Sequence, residues 1–172
     1  MKLLKWLDQR FEEYLLIVLS SFTVILIFTQ VFMRYILGDS LTWSEEIARY
    51  AFIWMIYLGV SYGVKRNQHL GVDAFTMLFE KKGQVIIGII ANACFLVFSL
   101  VITYYGIDIV TRVTRESAAI QLPLEWVYAA PVVGMILTSI RLVQNIILDI
   151  KELQKMDQPA SDEHLELQEE IV

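Results

Sequence analysis

The sequence predicts an all-α integral membrane protein: four transmembrane helices, with an N-terminal amphipathic interfacial helix and a cytoplasmic extension of the fourth helix. Three observations carry that prediction. The 172 residues are 56% hydrophobic with a mean hydropathy of +0.55, far more apolar than the usual soluble domain. Uncharged apolar runs recur four times along the chain. Two of those runs are too short to cross a bilayer without drawing charges in, and charges at that depth face protein or water because lipid cannot solvate them.

The elements follow in order. Residues 1–13 place Leu3, Leu4, Leu7 and Phe11 on one helical face with Lys2, Lys5, Asp8 and Glu12 elsewhere, the pattern of a helix lying at the inner interface. The first uncharged run, residues 14–33, has twenty residues, enough for a hydrocarbon core of about 30 Å. It exceeds the usual apolar region of a secretory signal, and no small-x-small cleavage pattern follows, so it reads as a retained span. The second run, residues 50–64, has only fifteen. A span of about 43–64 must therefore take in Glu45, Glu46 and Arg49. The third run, residues 83–107, has twenty-five residues, and the fourth, residues 126–140, again fifteen. Extending the fourth to about 122–141 places Glu125 inside the apolar slab. Helical spacing of Val143, Ile146, Ile147, Ile150 and Leu153 carries that helix to about Met156, with Pro159 marking its limit. The membrane domain is thus residues 14–156, followed at 157–172 by an acidic tail expected to be mobile.

Orientation follows from Lys and Arg, which are in excess on cytoplasmic segments. The N-terminal segment, the second loop and the C-terminal segment hold ten; the opposite side holds four, Arg34, Arg49, Arg112 and Arg115. Both termini are therefore expected in the cytoplasm. Trp43, Tyr104, Tyr105, Trp126 and Tyr128 fall near the outer interface as an aromatic belt, whereas Trp54 lies mid-span and requires packing. The net charge of −5 arises in outer loops and tail and implies no nucleic-acid partner.

Within the spans, Gly59 and Gly63 form a G-x-x-x-G step, and Ala130, Gly134 and Thr138 a second small-residue row; such rows let helix backbones approach closely. Pro131 is expected to kink the fourth span or sit at a packed irregularity. Glu45 and Glu46 stand four and three residues before Arg49, within reach of its guanidinium on one helical face, and Arg34 ends the first span at similar depth. Two readings of this cluster stay open: an ion pathway, or a buried pair holding helices or subunits in register.

Enzyme classes lack their residues. Haem ligands are absent from the spans, since His69 lies in the inner loop and His164 in the tail. A Ser/His hydrolase lacks its histidine, and the lone Cys94, expected as a small buried apolar residue, excludes a C-x-x-C redox centre. No catalytic, cofactor or metal site is assigned. A standalone four-helix exporter working as a homo-oligomer is the rival reading, although such a protein usually carries a carboxylate in its first helix and residues 14–33 hold none.

Arg34 and Tyr35, the unbroken stretch Leu41, Thr42, Trp43, Ser44, Glu45, Glu46, Ile47, Ala48, Arg49, Tyr50, and then Phe52, Trp54, Gly59 and His69, Leu70, Gly71, Val72, Asp73 closely resemble the small membrane subunit of tripartite ATP-independent periplasmic (TRAP) transporters. Ala118, Ala119, Ile120, Gln121, Leu122 and Pro123, with Tyr128 and Pro131, resemble that family's entry to its fourth helix. The resemblance spans about residues 10–150. It implies a four-helix subunit without chemistry or cofactor of its own, packed in membrane lipid against a large TRAP membrane subunit. The large subunit's mobile elevator domain would hold the substrate and sodium sites, and a periplasmic solute-binding protein would deliver a C4-dicarboxylate, sugar acid or sialic acid. By the same resemblance the face bearing Trp43, Glu45, Glu46 and Arg49 is a structural and docking element, and His69 and Asp73 cap or dock a cytoplasmic loop.

Overall fold

A polypeptide crossing hydrocarbon must satisfy every backbone N–H and C=O within itself, and apolar runs without β-alternation do so as helices. The computed structural model describes the backbone of residues 2–66 and 80–169 and the side chains of residues 10–66 and 80–156. It contains α1 (Lys2–Phe32), α2 (Thr42–Lys65), α3 (Lys81–Arg112) and α4 (Glu125–Glu169), each long and apolar enough to cross a membrane. The amphipathic stretch expected at residues 1–13 continues into the first span as one helix. His69 and Asp73 lie outside the described residues, as do the side chains of Lys2, Lys5 and Trp6.

Helix ends follow local chemistry. Past Phe32, α1 loosens into a π-helical turn, Met33–Leu37, and stops at Gly38, whose φ of 72° is the left-handed cap that glycine adopts without strain. Ser44 Oγ donates to Leu41 O at 2.8 Å at the start of α2. The α4 helix differs from expectation at its far end. It passes Pro159, which removes one hydrogen bond without ending the helix, and continues to Glu169. Pro131 likewise leaves α4 unbroken.

The helices are arranged as a row rather than a ring. Among the described residues α1 packs on α2, α2 on α4 and α4 on α3, while α1 and α3 do not meet. In the most apolar stretch of each helix, 11% is buried in α1 and in α3, against 28% in α2 and 33% in α4. The two helices with short uncharged runs are therefore the inner members of the row. Both broad faces remain apolar and open.

Close packing concentrates at α4. Ala130 is 1% exposed and Thr138 fully buried, and a Cβ built on Gly134 between them would stand 2.6 Å from Tyr57 Cβ and 2.7 Å from Tyr57 O of α2. A Cβ on Gly106 of α3 would stand 2.7 Å from a side-chain methyl of Val132 on α4. The row on α2 behaves differently from expectation. Gly59 would come only to 4.0 Å of Leu16, and Gly63 faces open space, because the face of α2 that meets α4 is offset from these glycines. Cys94, expected buried, is exposed on the outer surface of α3, where hydrocarbon rather than protein would surround it.

Candidate functional site

The end of the molecule that holds the α1–α2 and α3–α4 connections is built around Glu46. The chain between α3 and α4 folds back on itself: Ser117 N–H donates to Leu122 O at 2.8 Å, Leu124 N–H to Arg115 O at 3.0 Å, and Gln121 turns the corner with φ of 52°. That turn leaves three successive amides pointing at α2. The N–H groups of Ala118, Ala119 and Ile120 donate to the Glu46 carboxylate at 3.2, 2.9 and 3.2 Å, and Tyr50 OH donates to it at 2.7 Å. An amide cluster of this kind receives an anion. Here the anion is the chain's own, and it ties α2 to the entry of α4. Trp54 reinforces the same junction through Nε1, which donates to Trp126 O at 3.2 Å.

Glu45 turns the other way. Gln30 of α1 donates through Nε2 to Glu45 Oε1, linking α1 to α2. The expected pairing of these acids with Arg49 therefore does not form. Spacing along one helix puts the groups within reach, but the amides of residues 118–120, in the turn that leads into α4, and the Gln30 amide of α1 take up the carboxylates instead. Arg49 instead lies exposed in a groove of about 400 Å³ between α1 and α2, beside Thr23, Ile27, Gln30, Glu45 and Phe52.

The remaining expected members do not join a buried cluster. Arg34 is exposed in the π-helical turn, 6.0 Å over the Tyr35 ring. Trp43 is 42% exposed. Glu125 is exposed in the first turn of α4, where a carboxylate favours the helix dipole.

The buried charge lies at the opposite end of the molecule, and sequence reasoning missed it. Glu12 of α1 is 3% exposed. Its carboxylate meets Arg141 of α4 at 3.1 and 3.2 Å, Lys65 of α2 at 3.3 Å and Ser61 Oγ at 3.4 Å. Beside it, Asn145 Nδ2 donates to Val64 O at 2.9 Å. One anion thus holds two cations from two other helices. A signal existed in the sequence: Lys65 and Arg141 border uncharged runs and Glu12 stands one residue beyond the border of another, all at the same end of the spans, so the three share one depth.

Carboxylates fasten both ends of this row of helices, and among the described residues no group of His, Cys, Asp and Glu could hold a metal ion. The four apolar helices define a multi-pass membrane protein. Comparison with known proteins then gives the family: residues 23–152 match the model for the DctQ component of tripartite ATP-independent periplasmic transporters. The chain belongs to that family. It is 30% identical over 158 residues to the C4-dicarboxylate TRAP transporter small permease protein DctQ of Vibrio cholerae, covering 77% of this chain and 68% of the relative. A putative TRAP transporter small permease protein of Haemophilus influenzae is 28% identical, covering 88% of this chain and 92% of the relative. The isethionate TRAP transporter permease protein DctMQ of Oleidesulfovibrio alaskensis is 29% identical over 84% of this chain but only 24% of its own length. The protein is a transporter permease component, not an enzyme, and the exporter reading loses its footing.

Proposed function

We propose that this chain is the small membrane subunit of a TRAP-type secondary transporter, holding a large sodium-coupled permease subunit in place while that subunit takes up an organic acid delivered by a periplasmic binding protein. The observation that carries the reading is the row of helices. Four helices in a line enclose no lumen, so solute has no path through a single copy of this chain. The long DctMQ relative supports a permease partner, because there the matching region is about a quarter of one larger permease chain. Relatives named for C4-dicarboxylates, isethionate and sialic acid share an anionic organic substrate, which supports the same class here. No cofactor belongs to this subunit in the proposal; the sodium gradient acts through the large one. Both termini are cytoplasmic, as the ten-to-four distribution of Lys and Arg supports.

Reconstitution tests the reading. Liposomes holding this chain with its cognate large subunit should take up the organic acid only when the binding protein and an inward sodium gradient are supplied. Uptake by liposomes that hold this chain alone would overturn it.

A further inference from the structure

Several cations near the ends of the spans are neutralised within the chain. Lys65 and Arg141 share Glu12, Arg66 lies 3.7 Å from Glu13, and Arg112 pairs with Asp108 at 2.8 Å. Arg49 departs from this pattern. It stands seven residues into α2, about 10 Å below the first residue of the helix at 1.5 Å per residue. Among the described residues it has no anionic partner. Both nearby acids are engaged elsewhere, Glu45 by Gln30 and Glu46 by the amides of residues 118–120. Arginine at such depth is costly unless paired.

The surroundings of Arg49 narrow what pairs with it. The groove is walled by Ile27 of α1 and Phe52 of α2 and floored by the buried Ala48, so its occupant is largely apolar and carries one negative group at the depth of the guanidinium. A soluble protein lacks the first property. A transmembrane helix with one inward acid has both, and the DctMQ relative shows this region joined to a larger permease in one chain. We propose that the groove between α1 and α2 receives a transmembrane helix of the large permease subunit, which brings a carboxylate to Arg49. The inference rests on the scaffold function above and specifies its contact. It also explains the geometry of Glu45 and Glu46: acids tied to their own chain leave Arg49 free to select a partner, since fixing one charge by another in a dry interface rejects wrong occupants as strongly as it admits the right one.

The test uses the full chain co-expressed with its cognate large subunit, with a photoreactive benzoylphenylalanine at Ile27 in the groove or at Ile25 on the opposite face of α1. Ile27 should crosslink to the large subunit and Ile25 should not. Arg49→Met should lower recovery of the complex by at least about tenfold, as loss of one partner of a desolvated charge pair does, while Arg49→Lys retains most of it. The small subunit bearing Arg49→Met should still purify alone with unchanged helicity. A complex that forms normally with Arg49→Met, with no more crosslinking from Ile27 than from Ile25, would overturn the docking and leave the scaffold function standing. Failure of the unmodified chain to bind any large subunit would overturn both.

Discussion

Glu12 joins three helices, because one buried carboxylate meets two cations from two other helices. Removing one member of a buried ion pair strands the rest at about 3–5 kcal/mol. Glu12→Gln removes the carboxylate that Lys65 and Arg141 share, whereas Arg141→Met leaves Glu12 still paired with Lys65. Thermal unfolding in detergent should therefore rank Glu12→Gln as the more damaging substitution, and Glu12→Gln combined with Arg141→Met should recover part of the loss. Equal effects of the two single substitutions would mean that the carboxylate does not bridge the three helices. At the opposite end Glu46 behaves differently, because the amides of Ala118 and Ala119 that it receives lie at an exposed turn. Water can replace it there. Glu46→Ala should leave the unfolding temperature nearly unchanged while hydrogen exchange at Ala118, Ala119 and Ile120 rises. Unchanged exchange at those three amides would remove the carboxylate as their anchor.

The four spans were legible in the sequence because an uncharged run is a local property, and the short second and fourth runs marked helices that need protein or water beside them. Lateral choices were not legible. Arg49 and Glu46 sit three apart on α2, yet Glu46 is taken by Tyr50 of its own helix and by amides more than seventy residues away, and no helical spacing reveals the amides. The small-residue rows teach the same lesson. Gly59 with Gly63 and Ala130 with Gly134 have the same four-residue spacing, but only the second faces a neighbouring backbone. A Cβ at Gly134 meets Tyr57 backbone, which cannot rotate away, so Gly134→Ala should destabilise by about 1–3 kcal/mol through overpacking. Gly63→Ala meets nothing and should be neutral or stabilising by up to about 1 kcal/mol, since alanine is the better helix former. Unfolding midpoints of the two variants, compared in one detergent, check the contrast; its reversal would place the helix contact on the wrong glycine.

For the molecule as a whole, orientation rests on charge asymmetry alone. Single cysteines introduced in a Cys94→Ala background at Ser40 and Thr114, both exposed, should react with an impermeant maleimide added outside intact cells. One at Lys155, exposed at the other end, should react only after the membrane is opened. Labelling of position 155 from outside would invert the topology and exchange the sides on which Glu12 and Glu46 act.

The row of helices also has a mechanical side. With neighbouring axes about 8–10 Å apart, the molecule is some three times wider than it is thick. A lean of about 10° within the plane of the row would lift one edge helix and sink the other by roughly 3 Å, and each ångström of hydrophobic mismatch costs a fraction of a kcal/mol on both flanks. The same lean across the thin direction displaces almost nothing at the edges. The bilayer therefore resists rotation about one axis and yields about the other, and any protein fastened to this slab inherits a directional stiffness that a round bundle of four helices could not give it.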